Sequence, residues 1–178
     1  RELSSAISHG IAYVPEDRKL VGLCLDRPII ENIGLASLEM FSRLGLLDLK
    51  RERSEAQGIS DKLQTKAPSL DVPVHTLSGG NQQKVVLSKW LIRNLKVLIL
   101  DEPTRGIDVG AKSEIHRLMS EFASQGMAVI MISSELPEIL GMSDRILVVH
   151  KGRIQGELMR REATQERIMT IATGADHE

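Results

Sequence analysis

The sequence predicts an α/β protein with a mainly parallel sheet, and three features carry that expectation. Two wholly apolar runs, residues 97–100 and 127–132, read as strands buried on both faces, as central strands of a parallel sheet are. Between them, residues 109–124 set Ile115, Leu118, Met119 and Phe122 at the core spacing of an amphipathic helix. The polar clusters Asp101-Glu102 and Ser133-Ser134 follow the carboxyl ends of those runs, where open α/β sheets collect their ligands.

From the N-terminus, residues 11–14 (Ile-Ala-Tyr-Val) form a short buried strand, stopped by Pro15, which has no N–H for a ladder. A charged turn, Glu16-Asp17-Arg18-Lys19, follows. Ile29, Ile30, Ile33 and Leu38 fall near helical spacing, so a helix is expected over residues 28–42 with Pro28 at its start. A more polar helix is expected over residues 50–66, and residues 67–76, with two prolines, form a loop. Residues 81–92 read as a helix with Val86, Leu87, Trp90 and Leu91 on one face. Gly126 closes the helix over 109–124. A short helix over 135–141 leads to strands over 145–150 and 153–159, joined by a Lys151-Gly152 turn. Thr164 caps a last helix reaching residue 173.

With 178 residues, 42% hydrophobic and 26% charged, the chain is one ordinary globular domain's worth of sequence. Aromatics are only 2%, so the core is aliphatic and a base-stacking surface is disfavoured. A net charge of −1 gives no basic footprint for nucleic acid. The single cysteine, Cys24, excludes an internal disulfide and suits a reducing compartment; it reads as a small packed hydrophobe. The five histidines, His9, His75, His116, His150 and His177, have no metal-ligand spacing. No apolar run reaches bilayer-spanning length and no signal-peptide pattern opens the chain. Arg1-Glu2-Leu3 begins without a Met, so a piece of a longer polypeptide is expected.

Two motifs carry chemistry. Asp101-Glu102 ends an apolar strand with two carboxylates, one able to hold Mg²⁺ through water and the next to orient or deprotonate an attacking water. A solvated acidic turn is the plain alternative. Leu77-Ser78-Gly79-Gly80 precedes a helix, so its backbone N–H groups, the Ser78 hydroxyl and the helix dipole can together cap a phosphate. The plain alternative is a serine N-cap beside a flexible glycine pair.

Together, Leu77-Ser78-Gly79-Gly80-Asn81-Gln82-Gln83-Lys84, the strand ending in Asp101-Glu102-Pro103-Thr104, and Gly106-Ile107-Asp108 resemble the ABC ATPase family over essentially the whole chain. Residues 101–112, residues 133–138 (Ser-Ser-Glu-Leu-Pro-Glu) and Val14-Pro15-Glu16-Asp17-Arg18 resemble, more narrowly, the second cassette of tandem-cassette sugar importers. Those are the ribose, galactose, arabinose and xylose type, with the related autoinducer importer.

The resemblance implies an ABC nucleotide-binding domain lacking its N-terminal β part. It implies a helical signature subdomain over 22–95, a RecA-like core over 1–21 and 96–160, and a C-terminal helical segment over 161–178. The ligands implied are ATP and Mg²⁺, with Asp101 on the magnesium side and Glu102 as catalytic base. Ser78, Gly79 and Gly80 would contact the γ-phosphate held by the opposite cassette, with Asn81 and Gln82 beside them and Asp108 communicating across the pair. Asp108 also reads as the N-cap of helix 109–124. The implied partners are a second cassette of the same or another chain, transmembrane permease subunits docking on residues 23–66 and, indirectly, a periplasmic or extracellular sugar-binding protein. The implied location is peripheral, at the cytoplasmic face of the membrane.

Departures are informative. None of the 14 glycines is followed by Lys, so these 178 residues hold no Gly-x-x-x-x-Gly-Lys-Ser/Thr loop, which the resemblance places upstream of residue 1. Glu16 stands where the family carries glutamine, and Ser134 stands at the switch histidine, where it supplies no protonatable positive group. Both weaken the site built on Asp101 and Glu102, whereas the signature is nearly intact. The reading is therefore an asymmetric importer motor whose signature completes a partner's site. The alternatives are a non-catalytic cassette that only completes that site, and a DNA-maintenance ATPase, which the lack of sustained heptads disfavours.

Overall fold

The computed structural model describes residues 3–174; Arg1, Glu2 and residues 175–178, with His177 and the end of the expected C-terminal segment, lie outside the described residues. The chain forms two compact units, the first ending at Ile132 and the second starting at Ser133.

The first unit opens with α1 (Leu3–Ser8), a short exposed helix that no periodicity in the sequence announced. Gly10 (φ 81°) turns the chain into β1 (Ile11–Val14), in which Ala12 and Val14 point inward and Tyr13 outward. The charged turn is wound into one π turn, Arg18–Gly22, because Asp17 Oδ1 accepts from Lys19 N (2.9 Å) and Leu20 N (3.0 Å). The helix expected over 28–42 is broken into α2 (Ile29–Gly34), a 3-10 turn at Leu35–Ser37 and α3 (Leu38–Phe41). Cys24, expected to be packed, is exposed, while its backbone is held by the buried Asn32 amide.

A two-stranded hairpin of β2 (Ser42–Arg43) and β3 (Leu46–Leu47) turns through Leu44 (φ 51°) and Gly45 (φ 82°). Next comes α4 (Leu49–Lys62), capped by Asp48. It stops short of residue 66 because Gln64 is left-handed (φ 53°), a helix-ending conformation. The expected loop over 67–76 contains a 3-10 turn, Val74–Thr76.

The helix expected over 81–92 begins two residues earlier as α5 (Gly79–Leu91), with Ser78 as its N-cap. Then come β4 (Val97–Asp101), α6 (Val109–Ser124), closed by Gly126 (φ 90°), and β5 (Ala128–Ile132). The sheet order is β1-β4-β5, all parallel, with Val14 opposite Leu100 and Asp101 opposite Ile132. Val14, Leu98, Leu100, Ile115, Val86 and Leu87 are completely buried, so the sheet's core is aliphatic as composition required.

The second unit contains α7 (Leu136–Met142), then β6 (Arg145–His150) and β7 (Arg153–Met159) as an antiparallel hairpin turning at Lys151-Gly152. α8 (Gln165–Thr173) covers it, burying Ile168 with Ile146, Val148 and Leu158. Thr164 caps α8 through Arg167 N (3.2 Å), and Gly174 (φ 77°) ends it. The chain is therefore α/β, with a parallel three-stranded sheet and helices, as the sequence predicted.

Candidate functional site

The N-terminus of α5 forms one wall of a cleft of about 310 Å³ lined by Lys66, Ser78, Gly80, Asn81 and Asp108, among others. Ser78 Oγ accepts from Asn81 Nδ2 (2.9 Å) and more weakly from Asn81 N (3.4 Å). Those two donors occupy the oxygen's lone pairs, leaving its own O–H proton to be donated elsewhere. Asn81 bridges two loops: its Nδ2 donates to Ser78 Oγ, and its Oδ1 accepts from Lys66 N, in the loop after α4, at 2.8 Å. Gln82 is buried and donates to Leu77 O (3.2 Å) and Val74 O (3.4 Å), so it holds the loop that delivers Ser78.

Both signature glycines answer a steric demand. A Cβ at Gly79 would lie 2.9 Å from Arg18 Nη2, and one at Gly80 would lie 2.5 Å from the Ala111 methyl. Asp108 caps α6 through Ala111 N at 2.9 Å and reaches the same cleft. The first turns of α5 and α6 are thus packed together, with free N–H groups and positive dipole ends on one side.

The acidic pair ends the central strand. Asp101 Oδ2 accepts from Tyr13 Oη at 2.7 Å, and that bond holds the Tyr13 phenol above its ordinary pKa. Glu102 is left-handed at φ 45°, and its N–H donates to Ile132 O at 2.9 Å. A non-glycine residue in that region is strained, and such strain concentrates where a side chain must be aimed. Asp101 and Glu102 alone are too few ligands for a closed cage, but Mg²⁺ is typically held by one or two carboxylates plus substrate phosphates, which this donor set fits. Among the described residues no cluster of three or more potential metal ligands occurs.

Glu16 forms an ion pair with Arg105, in the turn after β4. Ser134 belongs to the second unit, where its neighbour Ser133 donates to Glu138 Oε2 at 2.5 Å and accepts from Glu135 N at 3.1 Å, shaping the start of α7. Sequence reading overlooked Tyr13 and Arg18 as site residues. Tyr13 carried a weak signal, the one polar group in an apolar strand, whereas Arg18 sits in a charged turn that reads as solvated.

The ABC transporter family profile matches residues 3–105, more than half of the chain. This chain belongs to the ABC transporter family. The ABC cassette is 61% identical over 169 residues to a putative ribose/galactose/methyl galactoside import ATP-binding protein of Rhizobium etli, covering 95% of the chain and 32% of that relative. It is 56% identical to a xylose import ATP-binding protein of Geobacillus kaustophilus (98% and 34% covered) and 58% identical to a ribose import ATP-binding protein of Bacillus subtilis (95% and 34%). The cassette thus spans about a third of the length of the curated relatives it matches. Among solved structures it resembles a dimeric ATP-binding cassette in a post-hydrolysis state bound to ADP and Pi, with TM-score 0.72 and 19% identity over 92% of this chain and 69% of that one. An ATP-binding cassette in its ADP conformation matches with TM-score 0.70 and 22% identity, over 99% and 69%. At those identities the likeness speaks for the ABC fold alone. It agrees with the parallel sheet flanked by the signature helix.

Proposed function

We propose that this chain is part of the ATP-hydrolysing subunit of an ABC importer for a sugar or sugar-like ligand. Its Ser78–Gly80 cap would complete an ATP site whose triphosphate is gripped by a partner cassette. The observation that carries this reading is Ser78: its oxygen accepts from Asn81, at the start of a thirteen-residue helix and in one cleft with Asp108. A hydroxyl proton, helix N–H groups and the dipole then present donors where a γ-phosphate would gain most. Relatives named as sugar import ATP-binding proteins, matched over almost the whole chain, support the sugar-uptake reading.

On this reading Asp101 would hold Mg²⁺ through water, Tyr13 would orient Asp101, and Glu102 would act as base in this cassette's own site. Mg²⁺ there would neutralise developing phosphate charge. Partners would be a second cassette, permease subunits docking on the helical region over 23–66 and, indirectly, a sugar-binding protein, at the cytoplasmic face of the membrane. No helix among the described residues is long and apolar enough to cross a membrane. A second reading, a cassette that only completes its partner's site, is supported by the engagement of Glu16 with Arg105 and by a serine, Ser134, at the position the resemblance implies for the switch histidine.

Ser78→Arg in the complete gene product fills the cap with a long cation and is expected to abolish ATP-driven uptake into vesicles. Glu102→Gln is expected to be the milder lesion. Equal severity of the two would overturn the asymmetric assignment, and a silent Ser78→Arg would overturn the cap.

A further inference from the structure

Three segments converge on the Arg18 side chain: the π turn after β1, the turn between β4 and α6, and the start of α5. Arg18 Nη1 donates to Arg105 O at 2.9 Å and Nη2 donates to Gly106 O at 3.1 Å. The residue is 9% exposed, and its Nε is buried with no hydrogen-bond partner. A Cβ on Gly79 would sit 2.9 Å from Nη2 and 3.2 Å from Gly106 O, so the guanidinium and the Gly106 carbonyl lie directly against the first signature glycine. Glu16, two residues before Arg18, ties the same two loops together from outside by pairing with Arg105.

A guanidinium is an expensive filler for such a place. Burial disfavours its charge, lowering the Arg18 pKa, and the neighbouring Asp17 carboxylate opposes that. Met or Leu would fill the space without burying a charge. What Arg adds is a rigid planar fork, two parallel N–H donors at fixed separation, which suits two consecutive carbonyls and which a lysine ammonium cannot reproduce. The carbonyls it holds belong to residues three and two before Asp108. Gly106 is left-handed (φ 68°), a conformation that glycine adopts without strain, so the turn can present these two consecutive carbonyls to the fork.

We propose that Arg18 is a positioning residue that latches the 105–108 loop onto the signature, fixing Asp108 relative to Ser78 so that both face one phosphate chain. The turnover consequence rests on the phosphate-cap reading; the latch itself does not.

The test uses Arg18→Lys, which keeps the charge and loses the fork, with Arg18→Gln as a second variant should the first fold poorly. Amide hydrogen exchange of the 105–108 loop in the folded protein is expected to speed up by about tenfold or more in both, while the rest of the sheet keeps its protection. In the complete gene product with its membrane partners, Arg18→Lys is expected to lower kcat about tenfold with KM for ATP moving less than about threefold. Added to Asp108→Ala, it should cost less than about a further twofold, because both changes act through one loop. Wild-type exchange in Arg18→Lys would overturn the latch, as would losses that multiply with Asp108→Ala. Faster exchange with unchanged turnover would uphold the latch and count against the phosphate cap.

Discussion

Glu52 lies at the start of α4, 7% exposed, with its carboxyl packed against Gly34. Burial raises its pKa above the ordinary carboxylate value, the Glu31 charge adds to this, and Arg53 opposes it. The sign of the consequence follows from proton linkage. A carboxyl with a raised folded pKa holds its proton longer in the folded state than in the unfolded one. Stability is therefore lost as pH rises from the ordinary carboxylate value through the raised one, and regained on acidification. Glu52→Gln removes this titration. Relative to that variant, the wild-type protein is expected to gain stability between pH 7 and pH 4, read as converging urea midpoints. A gap independent of pH would show that the Glu52 proton is not linked to folding. At the same scale, residues whose work is local were legible in the sequence. Ser78, Asp108 and Thr164 are N-caps because their partners lie three residues away. Tyr13 and Arg18 were not legible, because their partners lie 87 or 88 residues away and only folding brings them together.

Three helices of the first unit are joined at Lys84. This α5 side chain is 2% exposed; its Nζ lies 2.5 Å from Glu114 Oε2 on α6 and donates to Gln64 O, at the end of α4, at 3.0 Å. The pair is asymmetric, since Glu114 is 40% exposed. Removing Lys84 leaves a carboxylate that water can reach, while removing Glu114 leaves an ammonium buried with one carbonyl. Glu114→Ala is therefore expected to cost about 2–3 kcal/mol, tempered by solvent screening, and Lys84→Met about half as much, by urea denaturation. The Lys84 bond and charge hold the Glu114 carboxyl below its ordinary pKa. The pair's contribution is thus complete above the ordinary carboxylate value and fades as pH falls through the depressed one. Equal costs for the two variants at neutral pH would mean that burial does not set the asymmetry. The elements that sequence misjudged are those without a buried stripe to announce them. The β2–β3 hairpin, for which the sequence reading assigned nothing beyond Ser42, exposes Leu44, Leu46 and Leu47, so no inward-outward alternation announces it. The apolar runs of β4 and β5, by contrast, were legible as strands, but the burial on both faces expected of them is not met: β4 buries Leu98 and Leu100, whereas Ile130 and Ile132 of β5 are half exposed.

At the scale of the whole molecule, the signature and the acidic pair were legible as contiguous motifs, and no phosphate-loop motif occurs within these 178 residues. On the proposed reading the donors offered to a phosphate are the N–H groups at the start of α5 and the capped start of α6, with the Ser78 hydroxyl, while the Asp101 and Glu102 carboxylates accept and would act only through Mg²⁺ or water. A helix N-terminus and one hydroxyl can orient a phosphate that something else holds. They supply neither the ring of N–H donors nor the lysine that a phosphate loop brings to the β- and γ-phosphates, and no glycine in these 178 residues precedes a lysine. Calorimetric titration of the 178-residue chain with MgATP is therefore expected to give a Kd weaker than about 1 mM, with phosphate release at background. A longer chain that supplies such a loop, as the proposed function requires, is expected to bind in the micromolar range. On the proposed reading, Ser78→Arg should leave ATP binding by the 178-residue chain unchanged, because the cap would serve a partner's nucleotide and not its own. Tight binding or turnover by the chain alone would mean that its own donors suffice, and the assignment of Ser78–Gly80 to a neighbour's phosphate would then lose its main support.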